Sequence, residues 1–439
     1  MGLPRMRRQR PVGLVGARDR AAHRRRHRPP SHRRLHVTTD WEPRLAALVA
    51  TLTDGGHLHS SEWVTAFAAT PRHVFTPEII ITTPDGYRVL SGDDSASRQE
   101  WLSAVYSDES LVTQDKPHAA GHLVPSGEPL RVPTSSSTMP SLMARMLEAF
   151  DIDDGMRILE IGTGTGYNAA LLSHRLGDGD VVSIDIDPCL VDQAGHRLAQ
   201  LGYTPTLRAG DGADGAAEHG PYDRIIATAA VPDIPIAWVQ QLKPGGKILA
   251  NLRGDLAGGT LCLLSRGHDD DEVIGPILPI GGNFMWLRPN VDDPHRPHEL
   301  APVTQRGTTS RTTTNLDPAE VPVDDAGFRF LLQLQLHAAQ ALWRGPAFDP
   351  VTRTEHDAVT VTAADGSRAE AFTGQENGRH RVSQTGPRRI WDTVETTHHL
   401  WRDLGQPAPD KFGVVANDST QFAWFGNDDS WHRWPLPLI

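Results

Sequence analysis

Ile158-Leu159-Glu160-Ile161 runs straight into Gly162-Thr163-Gly164-Thr165-Gly166, and no other nine residues limit the fold as tightly. A short, mostly aliphatic run ahead of three alternating glycines, with helical sequence from Asn168 onward, describes a buried strand that reverses sharply into a helix. Segments 157–161, 181–185, 206–208, 222–228 and 246–252 are short runs mostly rich in β-branched or aliphatic residues. Helical stretches separate most of them, which implies a doubly wound, mostly parallel sheet covered on both faces. A helix over 141–150, entered through Pro140, precedes the first of these strands.

The ligand of such a turn follows from its spacing and its acids. A dinucleotide site has glycine at positions one, three and six, whereas here the third glycine is at position five and Tyr167 occupies six. Glu160 closes the strand, where a carboxylate repels a pyrophosphate and attracts a group bearing an ammonium and a sulfonium. S-adenosylmethionine carries both. Asp185 ends the second strand, 23 positions after Gly162, where an acceptor grips ribose hydroxyls. Asp211-Gly212 follows the third strand, where a carboxylate can accept from the adenine amino group and the adjacent backbone can donate to the ring. The candidate cofactor residues are therefore Glu160, Gly162, Thr163, Gly164, Gly166, Asp185, Asp211 and Gly212. Each acid alone also reads as an ordinary strand-end or turn residue. Their order along successive strands favours the cofactor.

At 439 residues the chain predicts two or three domains. The first 36 residues carry a net +11 and, since the whole chain is −11, the remainder carries −22. Residues 1–36 read as a disordered Arg-rich head, or as upstream sequence that is not translated, with Val37 an alternative start. Residues 37–135 read as an N-terminal helical segment ending in a substrate-side loop at 116–133. Residues 136–287 form the cofactor domain and 288–322 a Pro/Thr/Asp/Arg-rich linker. Residues 323–439 read as a smaller C-terminal α+β domain. It has hairpins around Asp365-Gly366 and Asn417-Asp418, a helix bearing Ile390, Trp391, Val394, His398 and Trp401, and a stretch at 328–336 that fits strand or helix.

Several other motifs, taken together, resemble the protein-L-isoaspartate O-methyltransferases. They are Pro71-Arg72-His73-Val74-Phe75-Thr76-Pro77, Tyr106-Ser107-Asp108 with Leu111, the turn at 158–170, Gly210-Asp211-Gly212, Ile225-Ile226-Ala227-Thr228-Ala229-Ala230 and Gln241-Leu242-Lys243-Pro244-Gly245-Gly246. The resemblance spans roughly residues 40–285. It implies a Rossmann-like methyltransferase fold and S-adenosylmethionine as methyl donor. Two departures stand out. Thr138, in Ser136-Ser137-Thr138-Met139-Pro140, takes the place of a family serine, and Asn251-Leu252-Arg253-Gly254 replaces a proline-valine-glycine. With the added C-terminal part, the arrangement is similar to a long actinobacterial branch associated with ATP-grasp-cyclised ribosomal peptides, whose members methylate aspartate to form an aspartimide. That resemblance implies a peptide or protein partner bearing aspartate or isoaspartate.

A carboxylate is already the nucleophilic form at neutral pH, so its methylation requires no general base. Ser136, Ser137 and Thr138 are the candidate catalytic residues, holding one carboxylate oxygen while the other attacks; the alternative is that they cap the following helix. The methyl ester then closes to a succinimide, from an isoaspartyl α-carboxyl or an aspartyl side chain alike. The aromatic residues Trp391, Trp401, Trp424 and Trp431 suggest a peptide-recognition surface, or else the core of the small domain.

No metal is expected: His118 and His122 are four apart but lie in a Gly/Pro setting without a helix, and His73 reads as structural. Cys189 and Cys262 form no ligand pair, which with the absence of a secretory pattern suggests a reducing cytoplasm. No apolar run is long enough for a membrane span, and the acidic chain after residue 36 argues against nucleic acid. Competing functions are general isoaspartyl repair, methylation of a nucleobase or small molecule, and a peptide-binding module that has lost turnover. The segment 227–232 lacks the Asn/Asp-Pro-Pro-aromatic loop used on exocyclic amines.

Overall fold

A computed structural model of the chain describes residues 40–438 apart from 85, 119–122, 124–126, 128, 258, 269–270, 292–308, 350 and 428–429. The head at 1–36, His122 and residues 292–308 of the expected linker lie outside the described residues. Leu45, Leu48, Val49 and Leu52 bury one face of α1 (Glu42–Asp54), which packs on α2 (Ser61–Ala69). The all-helical expectation for 38–115 then fails. The β-branched run from Ile79 to Thr83 favours strand over helix, and β1 (Glu78–Thr83) pairs with β2 (Gly86–Ser91) ahead of α3 (Arg98–Val105). β3 (Leu111–Pro117) and β4 (Arg131–Ser137) complete an antiparallel sheet in the order β2-β1-β3-β4.

After α4 (Pro140–Ala149) the chain alternates: β5 (Ile158–Ile161), α5 (Tyr167–Leu176), β6 (Val181–Asp185), α6 (Pro188–Gln200), β7 (Thr206–Ala209), β8 (Tyr222–Val231), α7 (Ile236–Gln241) and β9 (Leu242–Leu252). These five strands are parallel in the order β7-β6-β5-β8-β9. Neighbours in sequence serve opposite faces. Leu159, Ile225 and Ile248 join one core, while Ile158, Ile226 and Leu249 join the other with α4 and α5. Burial on both faces explains why these strands read as continuous hydrophobic runs.

The sheet continues antiparallel through β10 (Thr260–Arg266) and β11 (Val273–Gly281). Next come β12 (Ser310–Thr314) and α8 (Ala326–Gln335), which resolves the ambiguous stretch as a helix with Asp325 Oδ1 accepting from Phe328 N at 2.9 Å. β13 (Ala339–Asp349), β14 (Thr354–Ala363), β15 (Arg368–Glu376) and β16 (Arg379–Thr385) form an antiparallel sheet with β12 beside β16, covered by α9 (Ile390–Asp403). Then the chain returns to the large sheet. β17 (Gly413–Ala416) pairs with β11, and β18 (Gln421–Asn427) and β19 (Ser430–Pro435) extend it to ten strands.

Both C-terminal hairpins and the α9 helix therefore form, and the part beyond 323 shares most of its core with the cofactor domain, apart from a small cluster of Ala347, Ala358 and Phe372. Phe328, Leu331, Trp391, Val394 and Phe412 belong to the same core as Ile225 and Ile248. Gln333 Oε1 accepts from Leu256 N at 2.6 Å and Arg329 Nε donates to Leu256 O at 2.6 Å, so α8 is bonded to the segment after β9. Residues Trp41–Ile439 make one compact unit. Trp391 and Trp401 are core residues, whereas Trp424 and the exposed Trp431 contact each other with centroids 4.8 Å apart. No described helix is long and apolar enough to cross a membrane.

Candidate active site

The chain leaves β5 for β6 and β7 and then returns to the other side of β5 as β8, and ligands bind at such a switch in strand order. A cleft of about 620 Å³ opens there, walled by the glycine turn, by the end of β4 and by residues 281–288. Gly162 has φ +95°, and a Cβ on it would lie 2.7 Å from Thr228 Oγ1. That hydroxyl is 3.1 and 2.8 Å from the carbonyls of Ile161 and Gly162, which fixes the turn against β8. Of the expected cofactor residues, Glu160, Gly162, Thr163, Gly164, Asp185 and Gly212 line the cleft; Gly166 and Asp211 do not. Gly166 caps α5 with its backbone against Ala194, and Asp211 Oδ1 accepts from Ala213 N at 2.8 Å.

Glu160 departs from the simple picture of an exposed anion. It is fully buried, Oε1 accepting from Asn168 Nδ2 at 2.8 Å and Oε2 from Ser183 Oγ at 2.6 Å. With the carboxylate ionised, Ser183 spends its hydrogen there, so Thr163 Oγ1 donates to Ser183 Oγ at 2.6 Å. Burial raises the Glu160 pKa to about 7, opposed by these two hydrogen bonds and reinforced by Asp185. Asp185 is also raised by burial; its Oδ2 accepts from Gly164 N at 2.8 Å and its Oδ1 from Asp187 N at 3.0 Å, while the charge of Arg288 works to lower it. Each oxygen keeps a lone pair for a ligand.

The other end of the cleft is organised by Arg72. Its fully buried guanidinium donates to the carbonyls of Val105 (3.0 Å), Ser107 (3.1 Å), Glu109 (2.8 Å), Ser137 (3.2 Å) and Thr138 (3.1 Å), and to Ser137 Oγ (3.3 Å). Desolvation lowers its pKa to about 10, which leaves it charged. Ser136, Ser137 and Thr138 all line the cleft, and the hydroxyls of Ser136 and Thr138 have no partner among the described residues. None of the three caps α4. The Met139 amide donates to Ser110 Oγ at 3.1 Å and the Ser141 amide to Asp108 Oδ1 at 2.8 Å. His73 lies outside the cleft, its Nδ1 2.7 Å from Tyr106 Oη, and burial lowers its pKa to about 4. The wall at 281–288, together with Asn168 and Thr228, was not found by sequence reasoning. Its only signal is the pair Gly281-Gly282 ahead of Phe284 and Trp286, which has no diagnostic spacing.

Residues 98–256 match the family model described as Protein-L-isoaspartate(D-aspartate) O-methyltransferase. A protein-L-isoaspartate O-methyltransferase of Methanothermobacter thermautotrophicus is 36% identical over 187 residues, 40% of this chain and 84% of that one. One from Hyperthermus butylicus is 34% identical over 260 residues, covering 56% of this chain and 91% of that protein. The chain belongs to this family. It is a methyltransferase and its methyl donor is S-adenosylmethionine. The site fits that donor: Gly164 leaves open the space beside Ser135 and Ser136, Asp185 retains acceptor capacity, and the buried Asn168 Oδ1 beside the cleft has no partner among the described residues.

Proposed function

We propose that the enzyme methylates the carboxylate of an aspartyl or isoaspartyl residue in a peptide or protein. The observation that carries this reading is the chemistry missing from the acceptor end. Among the described residues lining the cleft there is no His, Cys or Lys, and its two carboxylates, Glu160 and Asp185, lie at the donor end, hydrogen-bonded to Asn168 and Ser183 and to the amides of Gly164 and Asp187. A hydroxyl or a protonated amine would need a base there; a carboxylate does not.

When bound, S-adenosylmethionine supplies an electrophilic methyl group. The turn at Gly162 to Gly164 would receive its amino-acid portion, Asp185 its ribose hydroxyls and the Asp211-Gly212 segment its adenine. Ser136 and Thr138 would donate to one oxygen of the acceptor, leaving the other aligned for attack, and Arg72 fixes the backbone that presents them. Alignment and exclusion of water supply the rate. The amide nitrogen of the next residue then attacks the ester carbonyl, methanol leaves, and a succinimide remains.

Within this reading, deliberate aspartimide formation in a cyclised ribosomal peptide is the role favoured over general repair. Both departures from the short relatives, at Thr138 and at Asn251-Leu252-Arg253-Gly254, bear on the acceptor end of the cleft. Intact-mass measurement on an isoaspartyl peptide and on an ATP-grasp-cyclised peptide tests it. The expected record is a methyl gain followed by loss of methanol, faster on the cyclised peptide. Faster turnover of the generic isoaspartyl peptide would assign repair, and no methyl gain on any carboxyl would sink the proposal.

A further inference from the structure

Residues 281–288 are held as a strap along the cleft, and its first part, at the acceptor end, is pinned by two side chains at and just after the end of β9. Asn251, fully buried, donates from Nδ2 to Gly282 O at 2.8 Å. Arg253 donates from Nη1 to Phe284 O at 2.8 Å and lays its guanidinium 4.8 Å from the Trp286 ring centroid. Gly282 N donates to Gly259 O at 3.2 Å, and a Cβ on Gly259 would lie 2.2 Å from Gly282 O, so only glycine permits that approach. Further along, Ala230 N donates to Met285 O and Leu287 N to Ala230 O, both at 2.8 Å.

Between these pinned neighbours stands Asn283. It is exposed, it lines the same cleft as Ser136 and Thr138, and its side-chain amide has no partner among the described residues. Phe284, next in sequence, is buried. Pinned backbone on both sides fixes where this amide is presented, so a ligand that binds it orders only the side chain's own two torsions. A carboxamide offers one acceptor and two donors, matching the C=O and N–H of a peptide group.

We propose that Asn283 is a specificity-determining residue that hydrogen-bonds a main-chain peptide group of the substrate beside the reacting carboxylate, with Asn251 and Arg253 as the positioning residues that hold it. This rests on the carboxyl-methylation reading of the cleft. It makes the enzyme select carboxylates embedded in a peptide over free carboxylic acids of the same size.

The test is calorimetric titration of a short peptide with an internal isoaspartyl residue onto the full chain saturated with S-adenosylhomocysteine. Asn283→Ala is expected to bind the peptide about 5- to 20-fold more weakly, the worth of one or two hydrogen bonds, with affinity for S-adenosylhomocysteine unchanged. Asn283→Asp, which loses the donors and adds a charge facing an anionic substrate, is expected to bind it more weakly still. Arg253→Gln should reproduce the alanine phenotype as a rise in KM at nearly constant kcat; if that variant does not fold, the two substitutions at 283 still decide. Equal peptide affinity in Asn283→Ala, an equal loss of S-adenosylhomocysteine affinity, or no peptide binding by the wild type overturns the proposal. Peptide binding by the wild type without methylation would instead sink the functional reading, and with it the placement of the bound peptide group beside a reacting carboxylate.

Discussion

The donor end and the acceptor end of the cleft are held in place by different means. At the donor end the contacts are backbone turns and bonds to the adjoining strand: Gly164 to Asp185, Asp187 to Asp185, Ala213 to Asp211. At the acceptor end, side chains reach across long stretches of chain, Arg72 from 65 residues away to Ser137 and Asn251 and Arg253 each 31 residues back from the carbonyls they hold. A few neighbouring residues thus suffice to preserve the donor site. The acceptor wall depends on distant positions that can change independently of it, which is a physical route to altered substrate choice on an unchanged cofactor fold.

The largest expected effect tests whether the donor end stands alone. A chain ending at residue 287 keeps every cofactor residue but strips α8, α9 and β17–β19 from the core shared with β8 and β9. The retained side of that core, including Ile225 and Ile248, then loses its cover, and each Leu- or Ile-sized side chain exposed costs about 1.5 to 3 kcal/mol, so a handful is comparable with the whole stability of a domain. The fragment is expected to be insoluble or unfolded by circular dichroism. A folded fragment that binds S-adenosylmethionine would show the donor end to be self-sufficient and break the shared-core account.

Arg72→Ala removes the donor for five carbonyls and the Ser137 hydroxyl. With each buried group left unpaired costing about 1 to 3 kcal/mol, denaturant unfolding should show a loss of at least about 4 kcal/mol. Where the variant still folds, methylation should fall far more than cofactor affinity. A stability change under about 1 kcal/mol would mean that these carbonyls find other partners.

Two substitutions sharpen the contrast between the ends. Asp185→Ala is expected to weaken S-adenosylmethionine binding by about 1 to 3 kcal/mol, since a charged acceptor and the bonds to Gly164 and Asp187 are lost. Calorimetry showing unchanged affinity would displace the ribose from Asp185. Thr138→Val should do the reverse: turnover down by about tenfold, the worth of one hydrogen bond in a dry site, with cofactor affinity intact. Equal turnover would leave Thr138 as part of the wall only.

The same contrast explains what the sequence made legible. The strand-turn-helix at 158–170 and the acids Glu160 and Asp185 obey short-range rules of period, turn and strand end, and the structure places them together. Asp211 also follows a strand, yet its carboxylate caps the next turn and stays outside the cleft wall. The strap at 281–288 has no local pattern, because its conformation is imposed by Asn251, Arg253 and Gly259. The core and sheet shared across the linker expected at 288–322 were not legible for a related reason. Composition marks a break in local structure, but β17 returns to pair with β11, and a pairing between residues 273–276 and 413–416 leaves no trace in a window of sequence.

The smallest expected effect lies within the donor end and depends on Glu160. Burial lifts its pKa from 4.5 to about 7, so the folded protein holds a proton that the unfolded chain releases, and this carboxyl's contribution to stability declines as pH rises through that window. Ligand binding carries the opposite sign. The ionised form attracts the ammonium and sulfonium of S-adenosylmethionine and the protonated form does not, so affinity should rise by at most about tenfold between pH 6 and pH 8, the change in ionised fraction for a group titrating near 7. S-adenosylhomocysteine has no sulfonium and should show a shallower rise. Glu160→Gln should flatten both curves, and the amide can keep the Ser183 bond through its oxygen while Asn168 turns its own oxygen to accept. Calorimetric titrations of both ligands at several pH values measure this directly. A wild-type affinity independent of pH would place the Glu160 charge too far from the cofactor to matter and confine the residue to tying β5 to α5.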